Sequence, residues 1–184
     1  MNQLTANWIL IGLALIAANL PFLLERPLLM LPWTKSGARS RPVAISWLMF
    51  PVFFALLYCL AIAADMLIGR ALFVGGSPLQ ALLFLLRIVA ICVAAGLLMA
   101  VPGWWKGTEP GTKSLAERLL EVLVLYALLG ALGFAFEAHL GSVFPQNWEF
   151  YAVTLSLFMV MAYPGFVYRY MLRKNKKPKR NTSV

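Results

Sequence analysis

The chain alternates between five long apolar stretches that carry few or no charges and short polar connections. The stretches run over about residues 6–24, 44–68, 79–101, 114–136 and 149–172. Each can cross a hydrocarbon core of roughly 30 Å as an α-helix, because such a crossing takes about 20 residues. In the last stretch, 18 residues from Phe150 to Val167 carry no charge. The pattern predicts an all-α integral membrane protein with five transmembrane helices.

The composition and the position of the charges agree with this class. Of the 184 residues, 61% are hydrophobic and 12% are charged, against roughly 45–50% and about 25% in soluble domains. The net charge of +9 does not indicate nucleic-acid binding, because six of the 16 basic residues lie between Arg173 and Arg180, directly after the last stretch. Such a cluster is typical of a cytoplasmic helix end that contacts anionic lipid head groups. We therefore predict membrane lipids, and no nucleic acid, as partners.

Basic residues are divided unevenly between the two sets of loops. Loop 25–43 holds four and loop 102–114 holds two, and the basic tail lies on the same side, whereas the opposite side holds a single arginine. Because positive loops stay in the cytoplasm, the N-terminus is predicted outside and the C-terminus in the cytoplasm. We predict one membrane domain over residues 1–174 and a basic cytoplasmic tail over 175–184.

Two charges lie well inside the predicted spans, where each costs roughly 2.5–3.5 kcal/mol on translocon scales. A rise of about 1.5 Å per residue places Arg87 about 12 Å deep from one side and Glu121 about 10 Å deep from the other. We expect Arg87 to pair with Asp65 or Glu121 inside the bundle, or with an acid of a partner subunit. The alternatives are a site that carries protons or ions, a polar handle for a ligand such as a quinone head group, and snorkelling of Arg87 to the interface.

Several other residues carry local predictions. Pro21 should kink or end the first helix, and the Asn19 amide one turn earlier should bind the freed backbone groups or a neighbouring helix. Ser114 followed by Glu117 has the spacing of a capping box at the start of the fourth helix. A kink is expected where proline and glycine adjoin near the end of the fifth helix. The candidate partner-facing residues and interface anchors are Gly130, Gly133, Trp148, Glu149, Pro164, Gly165, Tyr168 and Arg169.

The sequence offers no chemistry of its own. It contains no nucleotide-binding loop, no metalloprotease motif and no plausible Ser/His/Asp set. Cys59 and Cys92 lie in apolar stretches, and we interpret them as small apolar residues. The single histidine, His139, excludes a haem held by two histidines of this chain. We predict no catalytic residue, no metal and no cofactor, and hence a protein that is not itself an enzyme.

Four segments give the chain a resemblance to a known family: Ala17–Arg26, Lys113–Glu121, Gln146–Ala152 and Pro164–Tyr170. They resemble a family of small, uncharacterised bacterial inner-membrane proteins, grouped as a domain of unknown function. The resemblance covers about residues 4–32 and 112–174. It implies that residues 44–105 are an inserted hairpin, which leaves both chain ends on their predicted sides.

The resemblance also implies a cellular context. Genes of this family tend to lie beside those of the proton-pumping NADH:quinone oxidoreductase, respiratory complex I. This neighbourhood implies a non-catalytic accessory subunit of the bacterial inner membrane that stabilises or assembles the membrane arm of the complex. Two alternatives remain: a small transporter or ion-conducting protein with a polar site at Glu121 and Arg87, and a transient assembly factor.

Overall fold

Five helices form most of the structure, a computed structural model that describes residues 3–32, 43–70, 78–106, 113–141 and 144–172. No strand occurs among these residues. The predicted basic tail and loop residues 33–42 lie outside them. The helices are α1 (Gln3–Leu23), α2 (Val43–Ala64), α3 (Pro78–Lys106), α4 (Leu115–His139) and α5 (Trp148–Val167), with π-helical turns at Asp65–Gly69 and Tyr168–Leu172.

All five helices are long and apolar enough to cross a membrane. The structure is therefore consistent with the predicted five-span membrane protein, and the prediction of an all-helical fold is confirmed for the described part of the chain. Each predicted span lies within one of these helices and the turn that follows it, to within a residue or two at the ends.

The first and fourth helices form the centre of the bundle. α1 packs against α4 and α5, and α4 also packs against α2 and the π-helical turn that follows α2. Ala14 and Ala18, one turn apart on α1, are buried in the cluster shared by α1, α4 and α5. Small residues at this spacing let membrane helices approach closely. α3 packs against α2 and the same π-helical turn.

The segment from Leu24 to Pro32 leaves α1 and stays inside the bundle. α1 ends at Leu23, two residues after Pro21, in agreement with the prediction that this proline kinks or ends the helix. The four residues 28–31 have no helical structure, yet all of them are buried against α2, α3 and α4. Their uninterrupted apolar run explains the burial, and the backbone groups of the segment therefore need partners inside the protein.

Candidate functional site

A cluster of buried charges lies at one end of the bundle, where the segment after α1 meets the start of α4. Glu121 on α4 is 2% exposed. Its Oε1 accepts a hydrogen bond of 2.7 Å from the Leu28 backbone N–H, and its Oε2 forms an ion pair with the ammonium of Lys113. The Lys113 side chain, just before α4, is as deeply buried. This carboxylate therefore holds the non-helical segment and neutralises a buried cation at the same time.

Arg118 occupies the same face of α4 one turn earlier and is 1% exposed. Its Nη1 donates to the carbonyl oxygens of Pro21 at 2.8 Å and Phe22 at 3.4 Å. These carbonyls belong to the last turn of α1, where four of them lack partners within the helix. The arginine therefore caps α1 and places a positive charge at the negative end of its dipole. Its buried Nε has no hydrogen-bond partner among the described residues.

A second ion pair joins the two chain segments that leave the bundle at this end. Arg169, in the π-helical turn after α5, donates to Glu25 over 2.7 Å, and both side chains are half-buried. Sequence reasoning treated Arg169 as an anchor among head groups. The structure instead pairs it within the chain, because the segment after α1 carries Glu25 to the end of α5.

The cluster combines three cations, Lys113, Arg118 and Arg169, with two carboxylates, Glu25 and Glu121, so its formal charge is 3 − 2 = +1. Burial lowers the pKa of the Lys113 ammonium, and the nearby Glu121 carboxylate opposes this shift. Each charge contacts an opposite charge or a main-chain group of the same protein. The arrangement is suited to joining α1, α4 and α5.

Asn19 forms a second polar connection, between α1 and α5. Its Nδ2 donates to the Met161 carbonyl at 2.9 Å and to the Leu15 carbonyl at 2.7 Å, and its Oδ1 accepts from the Gly165 N–H at 2.7 Å. In a regular helix the groups at 161 and 165 would bond each other. Pro164 disturbs α5 at this point because it lacks an N–H and its ring crowds the preceding turn. The amide therefore binds both groups across the disturbed turn.

The close contact between α1 and α5 explains the glycine beside that proline. A Cβ at Gly165 would lie 2.8 Å from Asn19 Oδ1 and 3.1 Å from Phe22 Cβ. Of the two partners that the sequence left open for Asn19, the structure shows the neighbouring helix, together with a carbonyl of its own helix. Gly165, predicted as a partner-facing residue, makes this contact within the chain, whereas Pro164 beside it is exposed.

The predicted pairing of Arg87 with Asp65 or Glu121 is wrong. Arg87 lies on the exposed face of α3, where its Nη1 donates to the Leu67 carbonyl at 3.2 Å. Asp65 instead pairs with Arg70 at 3.4 Å, and Glu121 pairs with Lys113. The estimate of depth gave the height of each residue and said nothing of the direction in which it faces. An acid of a partner subunit and snorkelling remain predictions for Arg87.

The remaining candidates fall into two groups. Gly133 faces the Leu10 side chain of α1, and a Cβ added at Gly133 would lie 3.5 Å from it. A Cβ added at Gly130 would meet no atom within 4 Å. Trp148, Glu149 and Tyr168 are exposed, as helix-end anchors require, and do not join the charged cluster. Gly130 therefore remains free to meet a partner, and Gly133 does not.

Sequence reasoning missed three members of the cluster: Glu25, Lys113 and Arg118. Arg118 was expected only to belong to the cytoplasmic start of the fourth helix, although it lies one turn before Glu121 on the same face. The available signal was the apolar run at 28–31, since a loop with four consecutive apolar residues is itself a candidate for burial. Buried backbone groups need partners, and the charges nearest to the start of α4 are the side chains that supply them.

The described residues contain no group of three or more His, Cys, Asp or Glu side chains that could hold a metal ion. Long apolar helices whose polar side chains bind one another and the main chain are features of an α-helical multi-pass membrane protein. The chain belongs to the family described as "Protein of unknown function (DUF2818)", whose family model matches residues 6–75 and 81–173. This match covers α2 and nearly all of α3, and so does not separate the 44–105 hairpin from the rest. Comparison with curated proteins and with solved structures gave no match.

Proposed function

We propose that this protein is a non-catalytic accessory membrane subunit that binds the membrane arm of respiratory complex I and stabilises or assembles it. The observation that supports the non-catalytic part is the use of the buried charges. Glu121, Lys113 and Arg118 all bind charges or main-chain groups of this chain. The choice of respiratory complex I rests on the gene neighbourhood that the family resemblance implies. This is evidence by association, and it is independent of the geometry of the buried cluster.

Glycines without an internal neighbour support a docking role. At Gly12, Gly96 and Gly130, all within helices, a Cβ would meet no atom within 4 Å. Glycine in a helix interior costs about 1 kcal/mol relative to alanine, and contacts within the chain do not require the missing side chain at these positions. Small residues allow close approach between membrane helices. Gly130 on α4 is accordingly our candidate for contact with a helix of the complex.

The proposed orientation places the buried charged cluster on the cytoplasmic side. The cluster joins the end of α1, the start of α4 and the end of α5, which is the end of the bundle from which the basic loop 25–43 and the basic tail extend. The excess of basic residues in these connections supports a cytoplasmic location. The N-terminus then lies outside the cytoplasm, and the membrane that the chain spans is the bacterial inner membrane.

Affinity purification of the full-length chain in mild detergent tests this proposal. We expect the membrane subunits of NADH:quinone oxidoreductase to be recovered in stoichiometric amounts. Gly130→Leu should lower their recovery, because a larger side chain prevents close helix contact. Gly12→Leu makes the same change on α1, at a glycine that also has open space around it, and serves as the matched control, with recovery unchanged.

Two results would contradict the proposal. A chain that purifies alone as a homo-oligomer would favour the transporter alternative. Binding to partial assemblies, with none in the mature complex, would identify a transient assembly factor.

A further inference from the structure

A cavity of about 490 Å³ lies between α1 and α3, with α2 and α4 closing its other sides. α3 lines it from Ile91 to Trp104, and Arg26 lies at the same end as Trp104. Arg26 is the one charged residue in its lining. Gly96 and Trp104 are exposed residues of the lining, so the cavity opens onto the outer surface of the bundle.

The dimensions of the cavity correspond to those of a lipid tail. The stretch from Ile91 to Trp104 is about 20 Å long at 1.5 Å per residue. One leaflet contributes about 15 Å of hydrocarbon, half of a core of roughly 30 Å. The volume also falls in the range of roughly 300–1,000 Å³ that is usual for sites of small ligands. An apolar cavity that opens at this depth faces acyl chains instead of water.

The charged end of the cavity has the chemistry of a head-group site. Arg26 is exposed and makes no hydrogen bond or ion pair with any described residue, whereas its neighbour Glu25 is paired with Arg169. The stem of Arg26 packs against α3, since a Cβ at Gly103 would lie 3.1 Å from Arg26 Cβ. Trp104 is 66% exposed at the same end, and tryptophan favours the level of the lipid head groups.

We propose that this cavity binds one phospholipid, with an acyl chain along α3 from Trp104 to Ile91 and the phosphate at Arg26. A guanidinium forms paired, charge-assisted hydrogen bonds to phosphate oxygens. The apolar lining recognises the tail, and the arginine recognises the anion at its end. The lipid would fill the space between the facing surfaces of α1 and α3 that line the cavity.

Lipid retention by the purified full-length chain tests the proposal. The purified protein in detergent is incubated with phosphatidylglycerol and washed. The lipid that stays bound is then counted by mass spectrometry of the intact protein–lipid complex. We expect one phosphatidylglycerol per chain. Diacylglycerol with the same tails lacks the phosphate and should bind about fivefold more weakly, which corresponds to about 1 kcal/mol for one arginine near a membrane surface. Inorganic phosphate should not displace the lipid, because it lacks the tail.

Two kinds of variant separate the tail site from the phosphate site. Arg26→Gln should weaken retention of phosphatidylglycerol about fivefold and leave that of diacylglycerol unchanged. Gly96→Leu and Ala100→Leu fill the cavity from successive turns of α3, and each should abolish retention of both lipids. Because two substitutions fill the same space, a folding defect in one of them does not remove the test.

The matched controls are Gly12→Leu, a glycine with equal free space on α1, and Arg70→Gln, an exposed arginine outside the cavity. Both should retain phosphatidylglycerol like the wild type. Equal retention by the wild type and Gly96→Leu, or an equal loss in Gly12→Leu, would overturn the proposal. Equal binding of diacylglycerol and phosphatidylglycerol would also overturn the proposal, because the cavity would then bind the hydrocarbon tail without recognising the phosphate.

Discussion

Replacing Glu121 by glutamine should destabilise the protein strongly, although the change removes no volume. Glutamine can still accept the hydrogen bond from the Leu28 N–H, but Lys113 loses its counter-charge. The two side chains are 3% and 2% exposed, so solvent screens the pair little, and removing one partner of such a pair costs about 3–5 kcal/mol. We expect this loss in the free energy of unfolding, measured by a reversible titration with a denaturing detergent.

The pH dependence of the same variant has a defined sign. Burial already lowers the pKa of Lys113, and Glu121→Gln removes the carboxylate that opposes this shift. The unfolded chain then binds more protons than the folded chain at pH values between the lowered pKa and the ordinary value of about 10.4. Stability therefore rises with pH in that window, and the deficit relative to the wild type should shrink as the pH is raised.

A double substitution distinguishes loss of the charge pair from general damage. In Lys113→Met with Glu121→Gln neither buried charge remains, and the Leu28 N–H keeps an acceptor. Replacing both members of a buried pair is often neutral, so we expect a stability within about 1 kcal/mol of the wild type. The control is Arg70→Gln in the exposed pair with Asp65, whose side chains are 72% and 44% exposed; it should cost at most about 1 kcal/mol.

Two results would refute this reasoning. The first is a loss below about 1 kcal/mol in Glu121→Gln, which is the value of an exposed pair. The second is a double variant that loses as much as its two single changes combined, because independent sites add and coupled sites do not.

The same titration checks three further predictions. Asn19→Leu should lower the free energy of unfolding by about 1–3 kcal/mol, because two main-chain groups of α5 lose their partner. The loss should be smaller in a Pro164→Ala background, where a regular helix lets these two groups bond each other. An equal loss in both backgrounds would contradict the described contact. Gly165→Ala should lower the free energy of unfolding by about 1–3 kcal/mol through overpacking against α1. Gly130→Ala, with open space around the added methyl group, should be neutral or slightly stabilising. Equal effects of the two substitutions would contradict the tighter packing around Gly165. Ser114→Ala should cost about 1 kcal/mol by removing the capping box, and no loss would mean that the cap contributes nothing.

The helices were predictable because length and apolar content alone determine which segments can cross a membrane. The start of α4 was predictable for a local reason. Ser114 Oγ accepts from the Glu117 N–H at 3.2 Å, and Glu117 Oε2 accepts from the Ser114 N–H at 3.1 Å, so the predicted capping box is confirmed. Both signals depend on residues that are close in sequence.

The buried cluster was not predictable in the same way, because its contacts join distant segments. Leu28 and Glu121 are 93 residues apart, and Arg118 and Pro21 are 97 apart. Counting loop charges treated the segment after α1 simply as part of a basic cytoplasmic loop, whereas its residues 28–31 are apolar and buried. The predicted pairing of Arg87 with Asp65 or Glu121 was wrong for a related reason. Helical rise gives the depth of a residue in a membrane, but the direction in which its side chain faces depends on how the helices pack.

Asn19 lies between these cases. A polar amide in an apolar helix has to find a partner, so a role for it could be predicted, and a neighbouring helix was one of the two partners considered. The identity of that helix could not be predicted. It depends on the disturbance that Pro164 causes in α5 and on Gly165, whose missing side chain allows α1 to approach.

The most direct test of the central claim compares complex I in membranes with and without this chain. If the protein is a non-catalytic stabilising or assembly subunit, its deletion should lower the amount of assembled NADH:quinone oxidoreductase, while NADH oxidation per assembled complex stays unchanged. Full-length chain supplied from a plasmid should restore the amount. A normal amount of complex with altered turnover per complex, or no effect on either quantity, would contradict the account.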